Sequence, residues 1–270
     1  MADSIGATPG EVPTGPKPLL KTLRKAWYSP AYSDLKITCN GWEWEVHRVI
    51  VCHASEFFKS CCENFKEAST GIVDLPDDDR EVVGAMLTYL YTADYNDKIN
   101  IGVPRTLFQV HVHTIADKYG ILDLCRVAEA KFAELATSEW KGPDFAQAVE
   151  EMFTTAPDSK RILQKTALSI VVKHAKVLFT DESSVFAEIS RKVAPFAHEV
   201  STQLLTAKLR EGENELRYEC PACKETFICK KFAVAPDDFT AFYAYCPCCN
   251  RKHHTHRFTV VESRFERTTA

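Results

Sequence analysis

Asn40-Gly41 sits between two short runs whose composition suits strands. Leu35-Lys36-Ile37-Thr38-Cys39 is rich in β-branched and apolar residues, and Trp42-Glu43-Trp44-Glu45-Val46 alternates with period two. Both turn positions tolerate positive φ, which a tight two-residue hairpin needs. The alternation predicts Trp42, Trp44 and Val46 on one buried face and Glu43 and Glu45 toward water. Short helical patches follow at Val49–Cys52 and Ser55–Cys61, then a third strand at Ile72-Val73-Asp74-Leu75. Asp77-Asp78-Asp79 supplies acids where the dipole of the next helix favours them. That helix is expected to run to about Tyr91, with Val82, Val83, Met86, Leu87 and Leu90 on one face.

Five motifs in this stretch resemble a known family. Tyr32-Ser33-Asp34-Leu35, Val46-His47-Arg48-Val49-Ile50-Val51, Ser55-Glu56-Phe57-Phe58, Val73-Asp74-Leu75-Pro76-Asp77-Asp78 and Tyr89-Leu90-Tyr91-Thr92-Ala93-Asp94-Tyr95 occur in the order found in BTB/POZ domains. The arrangement with its cysteine-rich end is similar to a fungal-type BTB architecture. The resemblance implies an α+β fold, a small sheet plus helices, and a protein-interaction module without catalytic activity. It implies that Asp34 and Arg48 stand where some members carry a charged pair at the floor of a homodimer. It also implies that Phe65-Lys66-Glu67 corresponds to the element with which BTB adaptors contact a cullin scaffold, Phe65 and Glu67 being the contact residues. Upstream, Leu19, Leu20, Leu23, Ala26 and Trp27 form one helical stripe that Pro30 ends. In the family a helix here packs across the dimer; packing on its own chain is the equal alternative, since an apolar face does not name its partner.

The 270 residues suffice for one large domain or two smaller ones. A net charge of −4 argues against a surface that binds nucleic acid throughout. No apolar run reaches the ~18 residues of a membrane span. A signal peptide and a prenylation box are absent from the two ends, so cytosol or nucleus is the expected compartment. There, the eleven cysteines are expected to be reduced or metal-bound. Cys61 and Cys62 read as buried thiols and His47 as a structural histidine, because no catalytic or ligand set accompanies them.

Residues 1–18, rich in Pro and Gly, read as a disordered tail. The BTB region with flanking helices covers 19–137, and a helical extension covers 138–211. Pro104 starts a helix with Phe108, Val112, Ile115 and Tyr119 on one face, and Gly120 closes it. Asp123 suits the cap of the next. His111 and His113 point about 200° apart on a helix and cannot share a metal. A helix begins at Gly142-Pro143-Asp144, and Pro157-Asp158 is expected to start the longest one, running through Leu163, Ala167, Ile170, Val171 and His174 to Leu178. After a break at Asp181–Ser184, a shorter helix carries Val185, Phe186, Ile189 and Val193, and a last one begins at Pro195 and stops at Gly212.

Residues 212–219 are acidic and polar and read as a linker. Beyond them, Cys220-Pro-Ala-Cys223 and Cys246-Pro-Cys-Cys249 form two C-P-x-C turns separated by 22 residues, with β-prone segments at Thr226–Cys229 and Phe239–Tyr245 and a further strand about Arg257–Val261. Two such turns can aim four thiolates at one tetrahedral Zn²⁺ with no position left for a catalytic water. This predicts a small β zinc ribbon over 220–261, with a tail at 262–270. Cys248, His253, His254 or His256 are alternatives for one ligand, and Cys229 is a weaker one. The function expected is a non-enzymatic adaptor that self-associates, recruits a cullin-RING ubiquitin ligase and presents an unnamed client. The alternative is a transcription or chromatin regulator whose ribbon contacts nucleic acid through Arg251, Lys252, His253, His254, His256 and Arg257, beside Tyr243 and Tyr245.

Overall fold

The computed structural model describes residues 17–98, 102–155, 161–180, 184–213, 215–230, 243–254 and 257–263. The expectations for residues 1–16, for the helix start at Pro157-Asp158, for the break at 181–183, for the strand before Tyr243 and for the tail beyond 263 lie outside them. The chain divides into two units, with the boundary between Phe196 and Ala197.

The first unit opens with helix α1 (Lys17–Trp27) and the expected hairpin, β1 (Leu35–Cys39) and β2 (Trp42–Val46). They pair antiparallel from Leu35↔Val46 to Cys39↔Trp42, and the turn places Asn40 at φ 48° and Gly41 at φ 83°. Strand β3 (Ile72–Asp74) joins β1 in parallel, giving the order β2-β1-β3. Leu35, Ile37 and Cys39 are buried. On the opposite face Lys36 bridges to Glu43 at 2.7 Å and Glu45 at 3.5 Å. The expected burial of β2 holds only at its end: Val46 is buried, Trp44 is half-buried and Trp42 is 52% exposed. Trp42 lies at the turn end, where the Arg80 guanidinium covers its ring at 5.1 Å and Trp44 lies 6.2 Å away.

Helices α2 (Arg48–Ala54), α3 (Glu56–Asn64), α4 (Glu67–Thr70) and α5 (Arg80–Thr92) complete this layer. Asp79 caps α5 by accepting from the Glu81 and Val82 N–H groups, at 2.9 and 3.1 Å. The predicted face of α5 is buried at Val82, Val83, Met86 and Leu87, whereas Leu90 is only partly covered and Tyr91 is buried instead. Ser55 caps α3 and also donates to the Tyr119 carbonyl at 2.6 Å, tying the α2–α3 corner to α6 (Arg105–Lys118). Gly120, at φ 71°, ends α6 as expected. Helix α7 (Leu122–Glu139) is entered from Ile121; Asp123 lies inside its first turn and pairs with Arg126 at 2.7 Å rather than capping it. One core runs through both layers, from Ile37 and Phe58 to Leu124 and Ala128.

Helices α8 (Pro143–Thr154), α9 (Ile162–Lys173), α10 (Ala175–Leu178) and α11 (Val185–Lys192) form the extension. The expected helix through Leu178 is broken at His174, which leaves helical geometry at φ −106° and ψ 10° and stacks its ring on Trp140 at 3.8 Å. The longest helix is α12 (Ala194–Glu213).

In the second unit β4 (Glu215–Glu219) pairs with β5 (Thr226–Lys230) and β8 (Thr259–Ser263), in the order β5-β4-β8. The linker expected at 212–219 is therefore corrected: α12 runs to Glu213, and 215–219 is the central strand. Its acidic composition hid the polar–apolar alternation Glu-Leu-Arg-Tyr-Glu, and two neighbours supply its backbone hydrogen bonds. Strands β6 (Tyr243–Tyr245) and β7 (Lys252–His254) form a separate antiparallel pair. Among the described residues, no helix is long and apolar enough to cross a membrane.

Candidate functional site

The four cysteines read as ligands converge. Their sulfurs all lie within 4.8 Å of one another. Cys220 Sγ is 3.8 Å from Cys249 Sγ, and Cys223 Sγ is 3.7 Å from Cys246 Sγ. Sulfurs at the corners of a tetrahedron stand about 1.6 times the metal–sulfur bond apart, so a bond of ~2.3 Å asks for about 3.8 Å. The arrangement fits a tetrahedral metal ion.

The two turns are built alike. The Cys220 N–H bonds the Glu225 carbonyl at 3.0 Å, and the Lys224 N–H bonds the Cys220 carbonyl at 3.0 Å. In the second turn the Cys246 N–H bonds the Arg251 carbonyl at 3.1 Å, and the Asn250 N–H bonds the Cys246 carbonyl at 2.8 Å. The Ala222 and Cys248 N–H groups point at the Cys220 and Cys246 sulfurs, at 3.4 and 3.3 Å. Each turn closes on a residue with left-handed backbone, Lys224 at φ 62° and Asn250 at φ 55°. Neither residue was singled out in the sequence; the signal was their equal offset, one place after the second cysteine of each turn.

Burial alone would raise the Cys246 thiol, but the N–H groups of Cys249 and Cys248 outweigh it and hold it down at about 6. Cys220 is lowered the same way, against its burial, by the N–H groups of Cys223 and Ala222. Cys223, despite a bond from the Glu225 N–H, is pushed up to about 12 by burial and by the three neighbouring sulfurs. Four thiols this close cannot all ionise unless a cation sits among them. Tyr218, Cys220, Cys246 and Phe258 are buried together, with Phe227 edge-on to Phe258 at 5.6 Å. The alternative ligand Cys248 is exposed, and neither it nor His253 joins the cluster. The side chains of Cys229 and His254, and all of His256, lie outside the described residues.

In the first unit, Asp34 Oδ1 accepts from the Arg48 N–H at 2.7 Å, while Arg48 Nε donates to the Asp34 carbonyl at 3.1 Å. The two residues meet, but the carboxylate serves the first turn of α2 and the guanidinium serves backbone carbonyls. Trp27 packs on Tyr91 at 5.2 Å and Leu23 is half-buried, whereas Leu19 is 69% exposed. The stripe of α1 thus rests on its own chain at its C-terminal end. Phe65 closes α3 and is 60% exposed, and Glu67 opens α4 half-buried. His47 bonds Tyr91 Oη at 3.0 Å and the Ala31 carbonyl at 3.2 Å, a satisfied structural histidine. His111 and His113 pair with different carboxylates, Glu151 at 2.6 Å and Glu129 at 3.2 Å. Burial pushes the Cys61 thiol up, and burial together with Cys62 pushes Cys52 up to about 12, so neither is primed as a nucleophile.

Residues 20–134 match the family model of the BTB/POZ domain. The BTB domain of human gigaxonin is similar at 18% identity and a TM-score of 0.37, over 46% of this chain and 97% of that one. The BTB domain of zebrafish PATZ1 is similar at 12% identity and a TM-score of 0.36, over 46% of this chain and 96% of that one. A search of curated proteins found no match.

Proposed function

We propose that this protein, which carries a BTB/POZ domain over residues 20–134, is a non-enzymatic protein-interaction adaptor of the cytosol or nucleus. BTB domains generally mediate protein–protein interaction and dimerisation. In this reading the domain self-associates through the region of Leu19, Leu23, Trp27, Asp34 and Arg48, and recruits a cullin scaffold through Phe65 and Glu67. A zinc ion on Cys220, Cys223, Cys246 and Cys249 holds the C-terminal ribbon, because soft thiolates in a tetrahedral set suit that ion.

The observation that carries the adaptor reading is the α3–α4 junction. Phe65 stands 60% exposed two residues from the half-buried Glu67, so one short turn offers an apolar anchor beside a carboxylate. The test is a pull-down of cullin by wild type and Phe65→Ala. Wild type binds, and loss of a central anchor of about 2 kcal/mol weakens binding about thirtyfold. No binding by wild type, or equal binding by a folded variant, defeats the cullin reading. Self-association is checked by light scattering at micromolar concentration. A stable dimer, burying on the order of 1,200 Å² or more, gives twice the chain mass; a monomer mass refutes it.

A further inference from the structure

We propose that Cys52 and Cys62 are a paired modification site, a dithiol that exchanges with small-molecule disulfides and closes to a disulfide across the α2–α3 corner. The corner is tight. Cys52 lies in the last turn of α2, Ser55 caps α3, and Cys62 lies in the last turn of α3. Cys52 Sγ is 3.7 Å from the Phe58 carbonyl oxygen. Phe58 precedes Cys62 by four residues inside α3, so the same oxygen accepts the Cys62 N–H. Two contacts on one oxygen keep the Cys52 sulfur within about 7 Å of the Cys62 nitrogen. The side chains close the remaining gap, for the two thiols are hydrogen-bond partners. Both are half-buried, which leaves room for a small reagent to reach them.

Cys61, next in the chain, is not the partner. It points about 100° away from Cys62 around the helix. It is buried in the apolar core, and the groups that act on its thiol after burial are Glu67 and Cys62. Within the pair the two roles differ. Burial first, then Cys62, pushes the Cys52 thiol up to about 12, so it keeps its proton and Cys62 attacks first. Arg48, one turn before Cys52, is the cation that acts on the pair, and Asp34 is the anion that opposes it. The Cys62 thiolate attacks one sulfur of the small disulfide, whose S–S bond breaks; one small thiolate leaves and is protonated, and Cys62 holds a mixed disulfide. Cys52 then gives its proton to solvent and attacks the Cys62 sulfur, and the second small thiolate leaves and is protonated. Two electrons pass to the small disulfide and two small thiols are released. The second step is intramolecular, at an effective concentration of about millimolar or more, which favours the closed pair over the mixed disulfide.

The test uses the full chain, reduced and with its metal content measured, and oxidised glutathione as the probe. Remaining thiols are blocked, and trypsin then cuts after Arg48, Lys59 and Lys66, which places Cys52 and Cys62 on separate peptides. The expected product is 49–59 joined to 60–66 by one disulfide, with fragmentation between Cys61 and Cys62 placing the bond on Cys62. It should exceed the mixed disulfide on Cys62 by about tenfold or more. Cys52→Ser should stop at the mixed disulfide, with one glutathione held on Cys62. Because the crosslink ties segments that already touch, the oxidised BTB unit should melt no lower than the reduced one. The inference is overturned if the folded wild type gives no joined product, or if the bond falls on Cys61. It is equally overturned if the mixed disulfide on Cys62 predominates in the wild type, or if oxidation lowers the thermal transition, since the corner would then have to distort to bring the sulfurs together.

Discussion

The BTB unit and the cysteine module solve the same problem with different means. The first gathers Ile37, Phe58, Met86, Leu87, Leu124 and Ala128 into one continuous apolar core. The second buries Tyr218, Cys220, Cys246 and Phe258 together, and two of those four belong to the cysteine cluster that could hold a metal ion. A small segment exposes too much of its surface for apolar burial to outweigh chain entropy, so a metal or a disulfide must supply the difference. The comparison teaches that the two units gather different chemistry: apolar side chains in one, a cysteine cluster able to hold a metal ion in the other.

The widest break between the two comes from the metal ligands. Cys223→Ser, or a strong chelator, is expected to unfold the module, since structural zinc contributes roughly 10–16 kcal/mol in finger peptides. Elemental analysis should fall from one zinc per chain to none, while the BTB unit keeps its own thermal transition. Metal-free protein, purified without chelator from zinc-replete cells, with 218–258 still folded would remove the distinction.

Phe58→Ala reverses the asymmetry. Phe58 is fully buried against Tyr119 at 5.2 Å. Truncation should cost about 3–5 kcal/mol through lost transfer energy and the cavity left behind. Urea unfolding of the BTB unit would report it, with zinc content unchanged. A parallel loss of zinc would show that the two units are coupled.

The smallest effect is electrostatic. Burial would raise the Asp94 carboxyl, but Lys131 at 2.7 Å and the Tyr95 N–H prevail and hold it below the ordinary carboxylate value of 3.8. A depressed folded value means that the contribution is present above the unfolded value and lost as pH falls through the folded one. The Asp94 side chain is 63% exposed, so the pair contributes at most about 1 kcal/mol. Asp94→Asn should reduce stability slightly at neutral pH and remove that part of the loss below about pH 4. Equal acid sensitivity of the two proteins in thermal melts would exclude the pair as its source.

Much of both units was legible in short stretches. Asn40-Gly41 between two β-prone runs is sufficient for a hairpin, because the turn needs two residues that accept positive φ. Cys-x-x-Cys on a tight turn is sufficient to aim two sulfurs at one point, and its repetition pointed to the four cysteines whose sulfurs lie within 4.8 Å of one another. These signals depend on a few consecutive residues. What was missed depends on residues far away in the chain. Glu215–Glu219 is a strand because β5 and β8 pair with it, and its acidic composition said nothing of those neighbours. The helix expected through Leu178 breaks at His174, the residue on which Trp140, distant in sequence, stacks. Trp42 fits the alternation of its strand and is still half-exposed, because periodicity assigns a face and only the surrounding helices decide how far that face is covered. Local chemistry determined the turns and the paired cysteine spacing; the tertiary structure decided pairing, burial and where helices end, since those follow from contacts that no short window contains.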